Sequence, residues 1–143
     1  MLRAGLLLIL LTLLILPPAA VAVPPAAPMS AREVAQSEAE AYLNLLDRWH
    51  YTDAWRVSSP YLQSRIPLKE WRRTLKTHRE PLGRVRARRL IAFHYQDRYE
   101  TAPVGVYLYL EFLSTFGGKE RIERLIVVKD GDGRWRVADY RLR

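Results

Sequence analysis

The chain has 143 residues, no cysteine, a formal net charge of +8 and 49% hydrophobic residues. Absence of cysteine excludes disulfides, thiolate metal sites, thiol nucleophiles and a lipid-modified N-terminal cysteine together, so stability has to come from a hydrophobic core. The length fits one domain plus a leader, and the positive balance directs attention to anionic partners.

Met1-Leu2-Arg3 precedes an uncharged run over residues 4–16, followed by Pro17-Pro18 and the A-x-A site Ala20-Val21-Ala22. This is the form of a secretory signal peptide over residues 1–22, with cleavage expected after Ala22, and it places the protein in the periplasm or outside the cell. The competing reading is an uncleaved inner-membrane anchor, in which residues 19–23 lengthen the apolar run towards the ~20 residues of a span. Pro17-Pro18 in the middle of that run argues against it. Residues 23–29 are rich in Pro and Ala and read as an extended tether. A single α+β domain is expected over residues 30–143.

Ser30 and Glu33 have the form of a capping box. Val34, Ala41, Leu45 and Trp49, with Tyr42 and Leu46 beside them, fall at helical spacing on one face, opposite Arg32, Gln36, Glu40 and Asn44. A second short helix should start at Thr52 or Asp53 and turn Ala54, Trp55, Ser58 and Leu62 to the core, with Pro60 bending or ending it. The third begins after Ile66 with Pro67 in its first turn. Leu68, Trp71, Leu75 and His78 then recur every three or four residues, which sets His78 at the core edge.

At His78-Arg79-Glu80-Pro81-Leu82-Gly83-Arg84 the periodicity changes from about 3.6 to 2, because Pro81 cannot continue a helix and Gly83 tolerates a positive φ. Residues 84–96 alternate, with Val85, Ala87, Arg89, Ile91 and Phe93 on one parity and Arg84, Arg86, Arg88 and His94 on the other. Residues 104–116 are apolar on both parities, as in a central strand. Residues 120–129 and 134–142 are joined by Asp130-Gly131-Asp132-Gly133, a hairpin signal rather than a calcium loop, since no distal ligands follow. The layout is α+β: three N-terminal helices packed on a curved four-stranded antiparallel sheet.

Trp49, Ala54-Trp55-Arg56-Val57-Ser58, Trp71, Arg79-Glu80-Pro81-Leu82-Gly83, Arg89, Tyr107 with Phe116, Glu123 and Gly133-Arg134-Trp135-Arg136-Val137-Ala138-Asp139-Tyr140 together resemble the exported bacterial family called domain of unknown function 4019. The resemblance covers most of residues 42–142. The chain differs from the family pattern at Asp139, where Gly is common, and over residues 96–105, which lack the usual Pro-Gly loop. Such families are similar to the nuclear transport factor 2-like superfamily, with a cystatin-like arrangement in which sheet and helices enclose a cone. The resemblance implies a fold and no reaction, because that architecture hosts isomerases, dehydratases and pure binding modules.

A regular strand would aim Arg89 at the core. Three readings follow: a cavity-wall cation for an anionic ligand, an internal ion pair with Glu123, or a bulge that turns Arg89 outward. The aromatic set Trp49, Trp55, Trp71, Tyr107 and Trp135 is either core or the lining of an apolar pocket. The ligand-binding candidates are accordingly Trp49, Trp55, Trp71, Arg79, Arg89 and Tyr107. His50, His78 and His94 have no metal-like spacing, and no cofactor motif is present. Asp47, Asp53, Glu111 and Asp139 are the carboxylates that burial could turn into acid–base groups.

Ten Lys or Arg stand between Arg65 and Arg89 against only Glu70 and Glu80. Arg72, Arg73, Lys76, Arg84, Arg86 and Arg88 would form either a basic surface for anionic lipid or polyanions, or a plain solvated face. Nucleic acid is disfavoured as a partner because export removes the protein from it. The expected function is a non-catalytic envelope module that holds a small amphipathic ligand or protein partner, with the basic surface as alternative and a small isomerase or dehydratase third. A homodimer through the outer sheet face would use Leu90, Ala92 and Leu113.

Overall fold

The structure, a computed structural model, describes residues 29–143; the expected signal peptide and nearly all of the tether lie outside the described residues. Helices α1 (Ala31–Asp47), α2 (Tyr51–Val57), α3 (Pro60–Arg65) and α4 (Leu68–His78) precede a 3-10 turn (Glu80–Leu82). Strands β1 (Val85–Gln96), β2 (Tyr107–Phe116), β3 (Lys119–Lys129) and β4 (Trp135–Leu142) complete the chain. The strands lie in sequence order, every neighbour antiparallel.

The capping box forms as expected: Glu33 donates its amide to Ser30 Oγ at 3.3 Å, and Ser30 donates its own amide to Glu33 Oε2 at 2.7 Å. The buried stripe of α1 is Ala35, Ala39, Tyr42, Leu43 and Leu46. It is rotated from the expected stripe, which leaves Val34 and Leu45 half-buried and Ala41 exposed. Alanines at positions 35 and 39 let this face approach the sheet more closely than a Val34-centred face would, and closer packing wins.

The expected second helix is two, so four helices rather than three cover the sheet. Ser58 turns extended, and Ser59 caps a new helix by accepting the Leu62 amide at 3.2 Å, with Pro60 in the first turn. The Ser59 amide donates to the Val137 carbonyl at 2.9 Å, which ties the break to β4. Pro67 caps α4 instead of lying within it, and His78 is exposed rather than at the core edge. At the junction, Gly83 adopts φ +81, as its place in the sequence required.

The helix-facing core joins Leu108, Leu110, Phe112, Leu125 and Val127 of the central strands to Ala39, Leu43, Leu46, Trp71 and Leu75. A smaller cluster of Tyr99, Tyr107, Ile126, Val128 and Ala138 lies on the opposite face. Residues 97–106 fold over that face, so the segment is part of the packing and not a bare connection.

Strand β1 contains two bulges. Val85 faces Phe116 but Ala87 faces Thr115, and Leu90 faces Phe112 but Ala92 faces Glu111, so Arg86 and Ile91 are extra residues. Each extra residue reverses the parity that follows. Arg88 and Leu90 therefore turn to the helices, and Ala87 and Arg89 turn out; of the three readings for Arg89 the outward-turning bulge is the one present, and Leu90 leaves the outer face expected for it. Asp130 and Asp132 both grip Arg136, at 2.8 and 2.6 Å, across the expected β3–β4 turn, where Gly133 adopts φ +80.

Candidate functional site: an arginine cluster and the cleft beside β4

Six side chains from six parts of the chain meet where the last turn of α1 approaches the sheet. Asp47 ends α1, Arg79 follows α4, Arg88 comes from β1, Ser114 from β2, Glu123 from β3 and Tyr140 from β4. Glu123 is fully buried and Arg79 is 2% exposed. Arg79 donates to Glu123 Oε1 through Nε at 3.2 Å and Nη2 at 3.1 Å, to the Tyr140 hydroxyl at 3.1 Å, and to Asp47. Arg88 donates to Asp47 Oδ2 at 2.9 Å, to Glu123 Oε2 at 2.7 Å and to Ser114 Oγ at 3.0 Å. Ser114 and Tyr140 complete the shell of Glu123, donating at 2.5 and 2.7 Å.

Two guanidiniums and two carboxylates make the cluster neutral, which is the condition for holding charges at this depth. Burial alone would raise the pKa of Asp47, but hydrogen bonds from Arg88 and Arg79 outweigh it and leave the carboxyl below its ordinary value. Burial and the adjacent Glu123 carboxylate push the Tyr140 hydroxyl well above its ordinary value, which keeps it a donor. Arg79 also lies over the Phe116 ring, 5.2 Å from its centre.

Next to this cluster a cleft of about 480 Å³ runs between α3, α4 and β4. Leu62, Ile66, Trp71 and Leu75 form its helical wall, and residues 138–143 form its strand wall. Its rim is polar. Arg141 donates to Glu100 at 2.5 Å and to Asp139 at 2.7 Å, Arg65 approaches Glu100 at 3.5 Å, and Tyr99 donates to Asp139 at 2.7 Å. Asp139 and the 96–105 segment thus meet in one hydrogen bond.

Of the six ligand-binding candidates, Trp71 and Arg79 line the cleft. Trp71 is fixed by its indole donating to the Tyr51 carbonyl at 3.1 Å, and Arg79 is committed to the cluster. Trp55 is half-buried, donating to the Ile66 carbonyl at 2.8 Å, and Tyr107 lies beneath residues 97–106, donating to the Pro103 carbonyl at 2.6 Å. These two serve packing. Trp49 stands outside the core, 52% exposed, and Arg89 is exposed on the outer side of β1. The internal ion pair expected for Arg89 exists at Glu123, but its cations are Arg79 and Arg88.

Arg88 consequently leaves the expected basic surface. Arg72, Arg73, Lys76, Arg84 and Arg86 remain exposed. Arg72, Arg73 and Lys76 line a shallow depression on the outer side of α4, and Arg73 is paired with Glu70 at 2.5 Å. Trp49, Arg72 and Lys76 share a second depression.

The expected carboxylates are dispersed: Glu111 pairs with Arg124 at 2.6 Å on the outer face, and Asp53 stands on the surface near His50 and Arg56. His94 stacks on Tyr109, with ring centres 4.7 Å apart. Among the cluster residues, the sequence reading names Arg88 only for the basic surface and Tyr140 only within the family resemblance, and does not reach Ser114. A usable signal was Asp47 itself, since a carboxylate in the last turn of a helix opposes the macrodipole and calls for a specific cation.

No curated protein and no solved structure matches the chain. A family match covers residues 38–140, which include all six residues of the cluster and most of the cleft. The chain belongs to that family, described as Protein of unknown function (DUF4019).

Proposed function

We propose that the domain is a non-catalytic binding module of the bacterial cell envelope that takes an amphipathic ligand or partner segment in the cleft between α3, α4 and β4. The observation that carries this reading is the cleft itself: an apolar wall centred on Trp71 beneath a rim of paired arginines and carboxylates, the composition of small-ligand and peptide sites. The chemistry of the cluster supports binding over acid–base catalysis. Its Asp47 carboxyl is held below its ordinary value, whereas a general acid working near neutrality needs a raised one. Placement in the envelope rests on the signal-peptide pattern of residues 1–22.

The test is titration with the amphipathic dye 1-anilinonaphthalene-8-sulfonate. Thr74, exposed on the cleft wall, is changed to Trp to fill the space. Dye binding to the parent that weakens about tenfold in Thr74→Trp, with unchanged melting, is the expected result. Equal binding by both proteins refutes the site.

A second reading is favoured by Trp49, which sits at φ +61, a left-handed conformation that costs a bulky residue about 1–2 kcal/mol, and still exposes half its surface next to Arg72 and Lys76. An aromatic beside cations suits an anionic lipid interface. Vesicles containing phosphatidylglycerol should then bind the protein at about 50 mM salt and release it at about 500 mM. Binding that ignores salt, or survives Arg72→Gln with Lys76→Gln, refutes it.

A further inference from the structure

Strand β4 is the last in the sheet, so alternate residues turn their main-chain groups away from β3. Ile122 and Arg143 exchange both main-chain hydrogen bonds, at 2.9 and 3.0 Å, and the pairing continues through Glu123 with Leu142, Arg124 with Arg141 and Leu125 with Tyr140. In an antiparallel ladder this register aims the amides and carbonyls of Tyr140 and Leu142 outward, into the cleft. Earlier on the strand an outward group is met by protein, where the Val137 carbonyl accepts the Ser59 amide. Among the described residues no hydrogen bond of that kind reaches Tyr140 or Leu142. Sheet edges left open in this way serve as templates for another strand.

We propose that the cleft binds an extended peptide segment by strand addition, with the main-chain groups of Tyr140 and Leu142 forming the new ladder. This rests on the reading of the cleft as the binding site and specifies what it takes. The strand wall, residues 138–143, is six residues long and offers about 20 Å of extended chain. Side chains of one parity on the added strand meet Trp71 and Leu75; those of the other lie level with Arg141. The segment recognised therefore carries apolar residues at alternate positions with polar ones between them. Recognition through main-chain groups is tolerant of side-chain identity and intolerant of any change to the peptide backbone.

The test uses the 15N-labelled protein and a capped hexapeptide of alternating valine and serine, compared with the same peptide N-methylated at alternate residues. In free protein the Tyr140 and Leu142 amides exchange fast while that of Arg141, paired with Arg124, is protected. Adding the unmodified peptide slows exchange at Tyr140 and Leu142 by about tenfold or more, and the N-methylated peptide binds about tenfold more weakly. Leu142→Pro removes an outward amide without removing a bond to β3 and weakens binding, whereas Leu142→Val does not.

Equal binding of both peptides, no protection by either, or unaltered binding by Leu142→Pro overturns strand addition. Protection that grows with protein concentration in the absence of peptide also overturns it, because a second copy of this chain would then occupy the edge. Dye binding that is lost in Thr74→Trp, with no amide protection by peptide, leaves the cleft a ligand site and removes only the strand. Absence of both signals removes the two readings together.

Discussion

Changing Glu123 to Gln keeps the shape of a fully buried side chain and deletes one of the two negative charges that neutralise Arg79 and Arg88. Both guanidiniums then depend on Asp47, and the introduced amide places donors against donors. Leaving a buried charge without its partner costs about 3–5 kcal/mol, a large part of the roughly 5–15 kcal/mol that stabilises a domain of this size. At about 4 °C per kcal/mol the melting temperature should fall by about 12–20 °C, and the urea midpoint by about 2 M. Arg88→Gln, which strands Asp47 and Glu123 on Arg79 alone, should cost a similar amount. Arg89→Gln, one residue along and exposed, should stay within about 0.5 kcal/mol of the parent. Urea denaturation followed by far-ultraviolet circular dichroism resolves these differences. The bulge-shifted parity is wrong if Arg89→Gln is as costly as Arg88→Gln, and the cluster has no energetic weight if Glu123→Gln stays within about 1 kcal/mol of the parent.

The folded-state pKa of Asp47 is depressed, so its contribution is complete above its ordinary value of 3.8 and is lost as pH falls through the folded value. Stability of Asp47→Asn should accordingly be lower at neutral pH and flatter on acidification, checked by urea midpoints between about pH 6 and pH 2. The Tyr140 pKa is raised, so its contribution is complete below 10.0 and is lost as pH rises beyond it; Tyr140→Phe should cost about 1–2 kcal/mol at pH 7 and fall less steeply at alkaline pH. Trp49→Gly relieves a positive φ and should leave melting unchanged or higher while abolishing vesicle binding, measured by sedimentation. Asp130 and Asp132 are both occupied by Arg136, and its hydrogen bond holds Asp132 at about 2, so millimolar calcium should not move the melting temperature.

Much of the fold was legible because local signals agreed with each other. Ser30 with Glu33 marked the first helix, Pro81 and Gly83 marked the change of period, and Asp130-Gly131-Asp132-Gly133 marked the last hairpin. What a period does not decide is where it breaks, so a bulge that turns Arg89 outward stands in the sequence only as one reading of three. Alternation along β1 gives no warning that Arg86 and Ile91 are extra residues, because a bulge is decided by how the strand bends over its neighbour and not by its own composition. One displaced residue was enough to exchange Arg88 for Arg89. The α1 stripe was similarly ambiguous, since two apolar faces lay side by side and only the closeness of the sheet selected the one with small residues. The cleft was legible only through Trp71 and Arg79, not in its place or shape. It depends on Ser59 and Pro60 dividing one helix into two and on β4 ending the sheet, and both are properties of assembly.

The cluster joins residues far apart along the chain: Arg79 reaches Tyr140 across 61 positions, Arg88 reaches Asp47 across 41 and Glu123 across 35. Such contacts repay the entropy of closing long loops only once every participant has been synthesised. A growing polypeptide that has emerged as far as β3 already holds both arginines and both carboxylates, yet lacks the hydroxyl that seals Glu123 and the strand on which α1 and α3 pack. The fastening is therefore completed from the C-terminal end, and a ribosome-stalled fragment stopped before residue 135 should remain open to protease when the full-length product resists it.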